Sequence, residues 1–263
     1  MTKIITLCTD FGQRDGYVAA MKGVLLTIAP DATLVDISHD ITPQAVHEGA
    51  FVLSSAYPYF PPHTIHVVVI DPGVGSARRA LALQTPRGFF VAPDNGILSY
   101  VLREEEVLGA VALTERRYWR APQSSSTFHG RDILAPVGAH LANGVPLEAF
   151  GPPVSDLVRL PLPVVRCGPQ GEIIGQVQHI DGFGNLITNI PADQVLPLEE
   201  PQIGIRGYRI RGLRTSYAMA APGELLALIG SHGNLEIAVR EGNAAQVTGA
   251  RLDDEVTVTS RAL

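Results

Sequence analysis

The change of pattern near residue 150 constrains this chain more than any other feature. Before it, apolar runs of strand length alternate with runs of helical length. KIITLCT (3–9), ATLVDIS (32–38) and the β-branched TIHVVVID (64–71) read as strands. YVAAMKGVLLTIA (17–29) and AVHEGAFVLSSAYPYF (45–60) have helical length and stop at proline. ALALQT (80–85) and GFFVAPD (88–94) look like a hairpin pair, and DILAPVGAHLANG (132–144) like a helix that Gly144 ends. Such alternation predicts an α/β domain. From residue 172 the pattern is EIIGQVQHID, NLITNI, YRIRG, LLALIG, LEIAV and EVTVTS. Short strands with frequent turns predict a small all-β barrel or sandwich. GPPVSDLVRLPLPVVRCGPQG (151–171), rich in Pro and Gly and without period, reads as the crossing between them. The expected organisation is an α/β domain over 1–160, a linker over 161–171 and a β domain over 172–263.

Nearly half of the 263 residues, 46%, are apolar, enough for one large core or two modest ones. The formal net charge is -6 and no basic stripe stands out, so a nucleic-acid partner is not expected. No apolar run is long enough to cross a bilayer, and the N-terminus lacks a signal-peptide layout. The two cysteines, Cys8 and Cys167, support neither a disulfide framework nor a zinc site. A cytoplasmic protein is the expectation.

Several polar residues sit where such a fold places chemistry. Asp10 and Asp71 follow predicted strands, where ligands of parallel sheets bind. Asp71 opens the turn Pro72-Gly73-Val74-Gly75-Ser76, with Arg78 just beyond. It fits an ordinary turn residue, or a carboxylate held ionised by Arg78. His129, in SSSTFHGRD, precedes a predicted helix and should be neutral there. Gly130 permits a close backbone approach, and Asp132 is placed to cap the helix. Asp10 fits a turn, or an acceptor for a ribose diol. The segment 179–189 reads as a hairpin turn, or as a site in which Asp181 holds an ammonium group and Asn185 reads a base edge. Gly230-Ser231-His232-Gly233-Asn234 is a second such turn, able to bind a carboxylate. No metal centre is indicated: HExxH, GxSxG and P-loop motifs are missing, and His63 and His66 would point apart.

TLCTDFG, VDISHDI, VVVIDPGVGS, VAPDNGILS, TFHGRD, HIDGFGNLITNI and GSHGNLEIAV together resemble the S-adenosyl-L-methionine (SAM) hydroxide adenosyltransferases, relatives of the fluorinase and chlorinase. The resemblance runs from residue 4 to about 245. It implies an N-terminal α/β/α sandwich, a smaller C-terminal β-barrel and a homotrimer with its active site at a subunit interface. It implies hydrolysis of SAM to adenosine and L-methionine, with no cofactor. The family's Asp–Arg–His set falls on Asp71, Arg78 and His129. Its substrate contacts fall on Asp10 for ribose, Asp181 and Asn185 for amine and adenine, and Ser231 for the carboxylate. Tyr217 and Val239 complete the substrate-binding set. His232 stands where the halogenases carry Arg. Their halide-pocket Tyr and Thr are missing from Asp71-Pro72-Gly73-Val74, and Gly130 replaces their Ser. A SAM-binding protein without turnover, a halogenase and a metal-dependent hydrolase using Asp10, Asp71 and His129 are the competing readings.

Overall fold

The computed structural model describes residues 3–260. They form two compact units that divide between Pro161 and Leu162.

The N-terminal unit runs β1 (Ile4–Thr9), α1 (Tyr17–Ile28), β2 (Thr33–Ser38), α2 (Val46–Ala56), β3 (Thr64–Val69), β4 (Ala80–Gln84), β5 (Gly88–Pro93), α3 (Val101–Glu104), β6 (Gly109–Ala112) and α4 (Ala135–Ala142). Its six-stranded sheet has the order β2-β1-β3-β5-β4-β6. β2, β1, β3 and β5 are parallel, and β4 is antiparallel to both β5 and β6. The sheet is therefore mixed. Every residue of β3 is buried, which suits its unbroken β-branched run to a central strand covered on both faces. Ile5, Leu7, Ile65, Val67 and Val69 share a core with Met21 and Leu25 of α1 and Val137 of α4. Each such side chain contributes about 1.5–3 kcal/mol when fully buried.

Three local expectations shift. The strand expected to close on Asp71 ends at Val69, so Asp71 belongs to the following turn, where its carbonyl accepts from Val74 N at 3.2 Å. The helix expected at 45–60 ends at Ala56 and continues as a single 3-10 turn, Tyr57–Tyr59. The helix expected from Ile133 begins earlier, as a π-helical turn over Gly130–Leu134 that runs into α4. Asp132 lies inside that turn and caps nothing. Its buried carboxylate instead pairs with Arg120 and Arg131, at 2.6 and 2.7 Å, and accepts from Ser125 N at 2.8 Å. The two guanidiniums outweigh the cost of burial and hold this carboxyl well below the usual carboxylate range.

The C-terminal unit runs β7 (Arg166–Cys167), β8 (Ile173–Ile180), β9 (Leu186–Pro191), α5 (Ala192–Val195), β10 (Gln202–Ile205), β11 (Tyr208–Arg211), β12 (Leu225–Ile229), β13 (Asn234–Val239), α6 (Ala244–Thr248) and β14 (Glu255–Thr259). All its pairings are antiparallel, in the order β11-β10-β14-β8-β9-β13-β12, a nearly closed, barrel-like sheet. Val177, Ile190, Ile203, Leu235, Ile237 and Val256 fill its interior. β7 pairs with β8 inside the stretch read as linker.

Both cysteines are free. Burial pushes the Cys8 thiol up to about 12, and nearby Asp10 and Glu48 add to this. Among the described residues, no helix is long and apolar enough to cross a membrane.

Candidate active site

The ends of the parallel strands β1 and β3 bring Asp10 and Asp71 to one edge of the sheet. Asn95 Nδ2 donates to the carbonyl of Ile70 at 2.9 Å, fixing the backbone just before Asp71. The turn after Asp71 is tied by Ser76 Oγ, which donates to Gly73 O at 2.7 Å and accepts from Arg78 N at 3.2 Å. Gly75 has φ of +77°, and a Cβ there would run into the carbonyl oxygen of Ser126. This glycine lets the turn carrying Arg78 close onto the loop carrying His129.

The loops deliver one bonded network. Arg78 forms a two-pronged ion pair with Asp71: Nε donates to Oδ1 at 2.8 Å, and Nη2 donates to Oδ2. Both side chains are largely buried. Arg78 Nη2 also donates to His129 Nδ1 at 2.9 Å. A guanidinium offers only donors, so Nδ1 must accept and the imidazole proton sits on Nε2. Burial, then the charge of Arg78, lowers the pKa of His129, with Asp71 and Asp132 opposing. The expected neutrality of His129 thus has a different main cause from a helix terminus. Gly130 is buried, and a Cβ on it would lie 3.1 Å from Val69 Cγ1 and 3.2 Å from Met21 Sδ. That close approach draws the His129 backbone down onto the sheet.

A pocket of about 370 Å³ opens beside this network. Asp10, Asp71 and His129 line it, together with the aromatic rings of Phe11, Tyr17 and Phe128. The three rings contact one another with centroids 5.3–5.7 Å apart. Nothing in the sequence marks these aromatics as pocket residues beyond the fact that Phe11 and Phe128 directly adjoin Asp10 and His129. Arg78 is not part of this wall. It stands behind Asp71 and His129 and lines a second pocket of about 290 Å³ with Arg79, Arg116 and Trp119. Asp10 accepts from the backbone N–H of Gln44 at 2.8 Å.

The C-terminal unit carries the remaining candidates on two hairpin turns. Between β8 and β9, Asp181 Oδ1 accepts from Phe183 N and Asn185 N, both at 2.9 Å. Asn185 Nδ2 donates to Asp181 Oδ2 at 3.0 Å. The carboxylate therefore organises its own turn, as the hairpin reading expects; Oδ1 already takes two bonds, and Oδ2, with one, keeps lone-pair capacity for a ligand. Phe183 on this turn is 80% exposed, unusual for an aromatic flanked by glycines. Ser231 lies exposed on the turn between β12 and β13. Tyr217 presents a ring that is 45% exposed while its hydroxyl donates to Glu236 Oε1 at 2.6 Å. Glu236 is 4% exposed within β13. Burial raises its pKa and Asp181 adds to this, while the Tyr217 hydroxyl opposes. Nothing in the sequence singled it out beyond a lone charge inside the apolar run LEIAV. Val239 is 5% exposed, with its side chain in the barrel core, and its carbonyl accepts from Gly242 N at 3.1 Å.

Among the described residues, no group of three or more His, Cys, Asp or Glu side chains is placed to hold a metal ion.

The chain thus carries a mixed α/β unit with a bonded Asp–Arg–His network at its strand ends, and an antiparallel, barrel-like unit with polar hairpin turns. Residues 5–151 match the SAM hydroxide adenosyltransferase N-terminal domain and residues 175–257 its C-terminal domain, and the chain belongs to this family of enzymes. It is 42% identical to an (R)-S-adenosyl-L-methionine hydrolase of Salinispora tropica, covering 98% of each chain. It is 38% identical to the protein of that name from Methanocaldococcus jannaschii, over 97% of this chain and 95% of the other. A fluorinase of an Actinoplanes species is 33% identical over 71% of each. The solved structure of a conserved protein from Thermotoga maritima has a TM-score of 0.91 at 36% identity, covering 97% of this chain and 99% of that one.

Proposed function

We propose that the chain hydrolyses SAM by attack of water or hydroxide at ribose C5′, giving adenosine and L-methionine. The observation that carries this reading is the bonded set Asp71–Arg78–His129 beside the pocket that also holds Asp10. Near-full-length similarity to proteins named (R)-S-adenosyl-L-methionine hydrolase supports the substrate. Methionine leaves from a sulfonium as a neutral thioether, so no acid is needed for departure. The difficulty is to make an oxygen nucleophile and align it opposite sulfur.

In the proposed mechanism the attacking oxygen is held between Asp71, which accepts one O–H, and the Nε2–H of His129. Arg78 acts from behind both. Its two-pronged pair with Asp71 fixes the carboxylate in place, and its charge puts positive potential near the developing nucleophile. Of the three side chains, Asp71 alone is left with acceptor capacity for the proton that water releases. Phe11, Tyr17 and Phe128 give the pocket an apolar wall, which favours a reaction that annihilates charge. Asp10 binds the ribose diol. In the C-terminal unit, Asp181 takes the methionine ammonium, Asn185 and the main chain of Val239 the adenine edge, Ser231 the carboxylate, and Tyr217 the adenine face. Phe183 is added to this set on its exposure.

The finer architecture belongs to the same proposal. It comprises helix–sheet–helix layering of the N-terminal domain, domains at 1–160 and 172–263, a cytoplasmic homotrimer with its site at a subunit interface, and no cofactor. Prolonged incubation of the protein with SAM, followed by chromatography for adenosine and methionine, tests the reaction. Their formation, undiminished by EDTA, is expected. SAM retained intact would favour a binding protein, and 5′-halo-adenosine formed with chloride or fluoride a halogenase.

A further inference from the structure

Gln44 combines backbone strain with a place in the nucleoside pocket. Its φ of +68° lies in the left-handed region, which a residue with a side chain adopts only at a steric cost. Such strain persists where the surroundings enforce it, and it clusters at functional sites. The surroundings here are specific. Gly12 N donates to His39 O at 2.7 Å, tying the Asp10 loop to the segment that leads to Gln44. Ala45 N donates to Thr42 O, and Val46 N to Gln44 O, both at 2.9 Å. Held this way, the Gln44 N–H donates to Asp10 Oδ2 at 2.8 Å. Among the described residues, Asp10 Oδ1 takes no hydrogen bond. Both residues line the pocket.

We infer that Gln44 is a positioning residue for substrate binding. Its left-handed backbone fixes the Asp10 carboxylate so that Oδ1 faces the vicinal hydroxyls of the ribose. The site therefore selects a ribonucleoside over its 2′-deoxy counterpart. This rests on the reading of Asp10 as the ribose-binding group. Reversing φ at residue 44 would swing the N–H away and leave the carboxylate free to rotate. The Gln side chain itself is not required for this.

The test compares Gln44→Val with Gln44→Gly. Both lack the glutamine amide, but valine resists the left-handed region and glycine does not. The KM for SAM of Q44V should exceed that of Q44G by about tenfold, with a much smaller difference in kcat. In an Asp10→Ala background that ratio should fall to about one, because the group being positioned is gone. The preference for SAM over 2′-deoxy-SAM should shrink in Q44V and persist in Q44G. Should Q44V fail to fold, the amide proton resonance of Gln44 in the wild type is read instead. It should lie downfield and move back in D10A. A KM ratio near one with D10A itself impaired, or an amide resonance unmoved by D10A, overturns the inference and leaves the Asp10 reading intact. D10A with wild-type KM for SAM overturns both.

Discussion

Arg78 Nη2 donates to His129 Nδ1 at 2.9 Å while the same guanidinium grips both oxygens of Asp71. One planar cation thus sets the orientation of the carboxylate and the tautomer of the imidazole. A lysine is a single point charge and cannot span both partners. Arg78→Lys should therefore lower kcat about 100-fold, as losing one preorganised electrostatic group does. KM for SAM should change by less than about threefold, since Arg78 stands outside the substrate pocket. Steady-state kinetics on the folded variant checks this. A large rise in KM with unchanged kcat would place Arg78 in binding instead.

Asp71→Asn keeps the shape of the carboxylate and removes its charge. The amide can still meet the nucleophile but neither accepts its proton nor balances Arg78. Turnover should fall by about 100- to 1000-fold, with SAM binding measured by calorimetry largely retained. Near-wild-type turnover would remove Asp71 from the chemistry.

The pKa of His129 is lowered from 6.5 by burial and by Arg78. The neutral ring, whose Nδ1 accepts from Arg78, then persists below pH 6.5. The acid limb of kcat that reports this group should lie below that value. NMR titration of His129 should show its pKa rise in Arg78→Ala, where the repelling charge is gone. A titration unmoved by the substitution would mean that the 2.9 Å contact has no electrostatic consequence.

A stability effect follows from His66, buried within β3 with Nδ1 at 2.8 Å from Thr6 Oγ1. Burial pushes its pKa down to about 3 from 6.5. In acid the unfolded chain takes up a proton at this residue before the folded one does. Stability from the neutral ring is whole above pH 6.5 and is lost as pH falls toward 3. At pH 5 the loss is about 2 kcal/mol, from 1.36 kcal/mol per unit over about 1.5 units. His66→Asn should flatten the pH dependence of urea unfolding between pH 7 and 4. An unchanged slope would mean that another group controls acid unfolding.

Tyr217→Phe keeps the ring and deletes the hydroxyl that meets buried Glu236. The stranded carboxyl should cost about 1–3 kcal/mol of stability. With the ring no longer anchored, KM for SAM should rise more than kcat falls. Thermal melts and kinetics measure the two effects separately.

The elements most legible in the sequence were those with strong periodicity. β1, α1, β2, β3 and the β4–β5 hairpin carry apolar runs long enough to declare their type, and the strand pattern beyond residue 172 declares an all-β unit but leaves barrel and sandwich open. β6 and β10 escaped because four residues such as GAVA or QIGI show no period apart from their neighbours. The π-helical turn at Gly130–Leu134 looks like ordinary helix in the sequence, because a widened turn depends on tertiary packing. In the sequence alone Asp71, Arg78 and His129 each fit an ordinary loop as well as a site, and only the ordered motifs group them. Arg78 bridging both partners from behind, and the burial of Glu236 beneath Tyr217, depend on side-chain packing that one-dimensional spacing does not carry.

The central claim is that solvent oxygen attacks C5′ of SAM at the Asp71–Arg78–His129 network. The most direct measurement is incubation with SAM in oxygen-18 water, followed by mass spectrometry of both products. One labelled oxygen in the 5′-hydroxyl of adenosine, and none in methionine, is the predicted result. Unlabelled adenosine, or label carried by the amino-acid product, would contradict it.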